Sequence, residues 1–286
     1  MATTIAAEVN PTLLAWAREQ SGYASASVAK RLGVKPDRVE AWERGDLKPT
    51  VRQAQELAKY YHRPFGIFFL PQPPAVTPLA AEYRRLSGIQ PGGESPEFRL
   101  AVRVMLQRRD ITVELSEELG QSWAEFKTSA HVSDGAGTVG KRLREVLGIS
   151  NERQLAWRDE WQAWREWRSA VENAGVLVFQ FPKVTLEQAR GVSLFEFPLP
   201  VIGINSKEGA PGARIYSLLH ELVHVSLAVG RDEQAALRAR FLQSWPRGPL
   251  RSWREGRHGR CAAGSACSGG RTADRIRRSR SAEPTR

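Results

Sequence analysis

The segment His220-Glu221-Leu222-Val223-His224 sets two imidazoles four residues apart, with a carboxylate beside the first. On an α-helix, positions i and i+4 share a face, so both rings can offer a nitrogen to one ion. Zinc is the ion this pattern suits. Held there, it lowers the pKa of a coordinated water towards neutrality and polarises a carbonyl, and an adjacent carboxylate takes up the proton. The spacing therefore makes His220 and His224 candidate metal ligands and Glu221 a candidate general base of a peptide-hydrolysing site, two histidines on a polar helix face being the plain alternative. Leu218, Leu219, Leu222 and Val225 surround the motif, which predicts that its helix lies against a core.

Such a helix needs a scaffold, and the preceding residues supply one. A helix from about Ala213 to Val229 carries the motif. Before it, the apolar and β-branched runs Val176 to Phe181, Val192 to Phe197 and Val201 to Asn205 read as three short strands, the first ended by Pro182. Ser95-Pro96-Glu97 reads as a cap followed by a first-turn proline, opening a long helix through Phe98, Ala101, Val102 and Met105. Trp157, Trp161, Trp164 and Trp167 recur at helical steps, and a face packed on the core explains them better than a ligand-stacking surface. The fold class expected is α+β: an all-α N-terminal module, a mixed helix and short-sheet zincin-like domain, and a tail.

The N-terminal module occupies residues 9–71. Asn10-Pro11 caps a first helix through Leu13, Leu14 and Ala17, and Ser25 can cap a second with Val28, Ala29 and Leu32 inward. Gly33 supplies a tight turn. A third helix runs from Pro36 to Arg44 with Val39 and Trp42 inward and is ended by Gly45, and a fourth starts at Thr50. Two short helices about a glycine turn, bracketed by two more, make the helix-turn-helix layout. Val28-Ala29-Lys30-Arg31-Leu32-Gly33-Val34 followed by Val39-Glu40-Ala41-Trp42-Glu43-Arg44-Gly45 resembles the Xre/Cro-type DNA-binding family. The resemblance implies that the third helix reads double-stranded DNA, with the chain a homodimer on a two-fold site. It points Lys35, Asp37, Arg38 and Ala41 at base edges, and Lys30, Arg44 and Lys48 at phosphates. A four-helix module used only for protein contacts or dimerisation is the alternative.

Charge and composition bound the rest. Of 286 residues 41% are hydrophobic and 26% charged, ordinary for a globular chain. Met1 to Asn10 does not read as a signal peptide, and the two cysteines, Cys261 and Cys267, give no disulfide framework, so a cytoplasmic location is expected. The net charge of +11 misleads: residues 1–237 carry 29 basic against 28 acidic side chains, and residues 238–286 carry 13 arginines against 3 acids. Residues 72–95, rich in proline and glycine, read as a linker. Residues 96–237 form the second domain. The tail 238–286 is nearly free of large aliphatics and reads as disordered, with the composition of an out-of-frame stretch of GC-rich DNA. A genuine basic tail adding phosphate affinity is the other reading.

Phe65-Gly66-Ile67-Phe68-Phe69-Leu70-Pro71, Pro200-Val201-Ile202-Gly203-Ile204-Asn205 and Tyr216-Ser217-Leu218-Leu219-His220-Glu221-Leu222-Val223-His224 together resemble the ImmA/IrrE-type metallo-endopeptidases that carry an Xre-type N-terminus. The resemblance implies a regulator that uses zinc to cleave a partner repressor protein. It also implies a third zinc ligand, a glutamate on a later helix within a pattern near Glu-x-Phe-Cys-Asn. This sequence does not reproduce that pattern, since Glu233 and Glu255 lie in unsuitable surroundings. Zinc is therefore expected to be weakly held. A non-enzymatic repressor or antitoxin-type protein with a degenerate peptidase domain is the alternative.

Overall fold

The computed structural model describes residues 5–74, 94–131, 133–196 and 198–229, all within one compact unit. Most of the expected linker, the tail, Glu233, Glu255 and both cysteines lie outside the described residues.

Four helices open the chain: α1 (Pro11–Ser21), α2 (Ser25–Leu32), α3 (Pro36–Arg44) and α4 (Val51–Tyr60). Local chemistry sets their ends. The Asn10 side chain accepts from Thr12 N, with Pro11 in the first turn. Thr50 and Gln53 form a reciprocal capping box on α4. Gly22, Gly33 and Gly45 close α1, α2 and α3 in the left-handed region. One cap differs from expectation: Ser25 is the first helical residue of α2, and Ala24 sits at the cap without a side-chain bond. Leu13, Leu14, Ala17, Val28, Val39, Trp42, Leu57, Tyr61 and Phe68 form this module's core, the last from a 3-10 turn at Phe65–Phe69.

The second region opens with α5 (Pro96–Glu118), capped by Ser95 as the sequence indicates. It continues through α6 (Ala136–Val146), α7 (Asn151–Leu155) and α8 (Glu160–Asn173) to β1 (Leu177–Phe181), β2 (Gly191–Leu194), β3 (Val201–Asn205) and α9 (Pro211–Val229). The sheet order is β1-β3-β2, with β1 parallel and β2 antiparallel to β3. The second strand stops at Leu194, short of the expected Phe197, because Leu194 already pairs with Val201, the first residue of β3. Every residue of β3 is buried, since both sheet faces are covered. Val192, Leu194 and Val201 meet Phe98, Val102 and Met105 of α5 on one side. Val178, Ile202 and Ile204 meet Trp164, Trp167, Leu218, Leu222 and Val225 of α8 and α9 on the other. Gly203 is required by this packing, because a Cβ there would lie 2.6 Å from Met105 Sδ.

The tryptophan stripe is only partly core. Trp164 and Trp167 are buried and Trp157 meets Trp167 edge-on, but Trp157 precedes the helix. Trp161 is 47% exposed, with the Arg214 guanidinium 5.3 Å from its ring centre. A four-residue step from Trp157 to Trp161 assumes a helix that starts only at Glu160, after the Asp159 cap. The two regions of the chain touch directly: Arg99 Nη1 donates to Glu19 O (3.1 Å) and Arg103 Nη2 to Tyr61 O (3.1 Å).

Candidate functional site

Helix α9 is anchored at its start by a buried acid. Glu208 pairs with Arg190 (2.9 Å) and accepts from Ser217 Oγ (3.5 Å), while its carbonyl accepts from Arg214 Nε. Asn205 is also fully buried, and its Nδ2 donates to Val184 O and Ala189 O, tying the end of β3 to the loop that leads into β2. With β3, β2 and α9 fixed in this way, the motif faces are set. Nε2 of His220 and Nε2 of His224 stand 3.2 Å apart, with His220 exposed. Two nitrogens each about 2.0–2.1 Å from a tetrahedral zinc ion are separated by about 3.3 Å, so the imidazole pair fits that ion. Among the described residues no group of three or more His, Cys, Asp or Glu side chains is gathered for a metal.

Glu221 turns inward and is 9% exposed. Burial pushes its carboxyl up to about 7, opposed by a hydrogen bond from Ser193 of β2. A carboxyl tuned near neutrality suits proton transfer. Gly191, two residues before Ser193 on the same strand face, leaves the space: a Cβ there would lie 2.8 Å from Glu221 Cγ and 2.9 Å from Oε1. Neither Ser193 nor Gly191 stands out in the sequence. Only the approach of β2 to α9 reveals either of them. Tyr216, one turn before His220 and 73% exposed, stacks on its ring at 6.1 Å.

In the N-terminal module, Arg18 of α1 grips Glu43 of α3 through two bonds of 2.7 and 2.9 Å, which raises the arginine pKa and fixes the tilt of α3. Lys30, Lys35 and Arg38 are exposed, and among the described residues none of them forms an ion pair. Arg38 leans on the Trp42 ring at 6.0 Å. Lys48 is held by Glu8 (2.6 Å), and Arg44 by Asp46 (2.8 Å) and Glu40 (4.0 Å). Ala41 is 7% exposed, so little of its methyl is open to a base edge. The outward residues are Asp37, Arg38, Glu40 and Arg44.

Arg38→Ala in the full chain is expected to cost about 1–3 kcal/mol on the preferred duplex and to relax one base preference. Lys48→Ala is expected to weaken all duplexes alike and by less, because Lys48 must first leave Glu8 in an exposed pair worth about 0–1 kcal/mol. Binding titrations on preferred and scrambled duplexes at two salt concentrations check both. Equal losses on the two duplexes for Arg38→Ala would remove it from the reading set.

Among the described residues no helix is long and apolar enough to cross a membrane. No curated protein and no solved structure matches the chain. The family model described as helix-turn-helix matches residues 14–68, the span from α1 to the Phe65–Phe69 turn. The N-terminal module is thus a helix-turn-helix DNA-binding domain of the kind that transcription regulators carry.

Proposed function

We propose that this regulator couples its DNA-binding domain to a zinc-dependent, metallo-endopeptidase-like domain that cleaves or senses a partner repressor protein, as the ImmA/IrrE resemblance implies. The observation that carries this reading is the pair of Nε2 atoms 3.2 Å apart on α9, beside a buried carboxyl raised to about 7. His220 and His224 would hold the ion, which would supply Lewis acidity to a substrate carbonyl. Glu221 takes up and returns the proton of the attacking water, and Ser193 fixes the orientation of its carboxylate. Strand β2 is an edge strand among the described residues and lies against Glu221, so its free backbone groups suit an extended peptide laid alongside. On DNA, Lys30, Lys35, Arg38, Arg44 and Lys48 make the contacts, in a homodimer on a two-fold site.

A non-enzymatic reading also has an observation behind it, since the described residues give the ion two protein ligands where catalytic zinc sites have three. Weak zinc binding and low peptidase activity follow. Two variants of the full chain separate the readings. Glu221→Gln keeps both imidazoles and removes the proton acceptor, whereas His224→Ala removes a ligand. With transcription from the bound promoters as readout, regulation by cleavage is lost in both variants and regulation by sensing only in His224→Ala. Unchanged output from both would exclude any role for the motif.

A further inference from the structure

A cavity of about 320 Å³ lies at the seam between the DNA-binding module and the second region. This is within the range of small-molecule sites. Tyr23 and His62 of the first region line it, with Leu100, Met105 and Arg108 of α5 and Phe181 and Lys183 at the end of β1. Its accessible apolar wall is Leu100 and Val104, both partly exposed, backed by the buried Met105 and Phe181. Its rim is cationic. Among the described residues neither Arg108 nor Lys183 forms an ion pair, and Arg108 rests only over the Phe179 ring at 5.9 Å. Arg103 stands close by, donating to the carbonyl of His62 at 3.3 Å, and among the described residues Glu97 is the single acid on the wall.

Two turns bring these walls together: His62 (φ 52°) closes α4, its N–H donating to Lys59 O and that of Arg63 to Ala58 O, and Lys183 (φ 73°) follows Pro182 at the end of β1. The His62 imidazole is kept below its usual pKa, first by burial and then by the nearby charges of Arg103 and Lys183.

We propose that this cavity binds a small organic anion, its carboxylate or phosphate between Arg108 and Lys183 and its apolar body on Leu100 and Val104. The cavity is too small for a duplex backbone or a folded partner. A molecule seated there touches both regions of the chain at once, and so favours the arrangement that joins them.

The test is calorimetric titration of the full chain with 3-phenylpropionate and, as a cationic counterpart of the same shape, 3-phenylpropylamine. The expected result is saturable binding of one phenylpropionate per chain, at least tenfold tighter than the amine. Lys183→Gln and Arg108→Gln should each weaken it about tenfold, and Glu97→Gln should tighten it several-fold. Both cations are exposed, so these variants should unfold at the same temperature as the parent without ligand. Titration with inorganic phosphate separates the two headgroup sources: phosphate that competes with phenylpropionate identifies the Arg108–Lys183 pair as a general anion site, and phosphate that does not compete identifies it as selective for carboxylates. Equal binding of acid and amine, or binding indifferent to both glutamine substitutions, would overturn the proposal. The outcome does not depend on zinc or on the α9 motif.

Discussion

Trp42→Ala is expected to unfold the N-terminal module, with a loss of about 3–5 kcal/mol. Trp42 is 1% exposed and packs among Leu13, Leu14, Val28, Leu57 and Tyr61, so its removal leaves a cavity that four short helices cannot close. The indole also backs Arg38, so DNA binding should fall beyond the loss of folded protein. Among the described residues its Nε1 is buried without a hydrogen-bond partner, an arrangement that costs about 1–3 kcal/mol where no water fills it. Trp42→Phe deletes that orphaned donor along with part of the ring. It should therefore cost far less than the alanine change, and a chemical denaturation series on the full chain separates the two. Equal losses would mean that a smaller ring cannot fill the site and that retained volume does not decide.

Gly175→Ala is the second substitution with a large expected effect, about 3 kcal/mol or more. Gly175 ends α8 at φ 93° and turns the chain into β1. A Cβ there would lie 2.0 Å from the carbonyl oxygen of Ala124 and 2.7 Å from its carbon. Backbone must therefore move, in addition to the left-handed strain that any L-residue meets. Gly148 supplies the control: it has φ 61° but nothing within 4 Å of a new Cβ, so Gly148→Ala should cost only about 1 kcal/mol. At about 2–4 °C of melting temperature per kcal/mol for a region of this size, thermal unfolding resolves the two variants.

Much of this architecture is legible in the sequence because it is written in short-range chemistry. Asn10-Pro11, Thr50 and Ser95-Pro96 each announce a helix start through a cap that acts over three residues. The motif helix shows itself by apolar spacing around His220 and His224. What stayed hidden depends on tertiary approach. Residues 121–130 have no regular period, yet they place Phe126 and Ala130 in the core and join α9 through a bond from Ala130 N to Ser226 O. Ala41 gives no sign of its side in the sequence, because alanine suits a base edge and a helix contact equally. The support of Glu221 by Ser193 and Gly191 arises only when β2 lies against α9. The third ligand that the resemblance implies has no matching residue in the sequence, and the candidates Glu233 and Glu255 fall outside the described residues.

Zinc binding by the full chain, titrated against a chromophoric chelator, bears most directly on the proposed coupling of DNA binding to a metal site. The account predicts one weakly held zinc per chain. It should be lost in His220→Ala and His224→Ala and kept in Glu221→Gln, whose carboxylate is not a ligand. Zinc uptake that survives His224→Ala unchanged would contradict it.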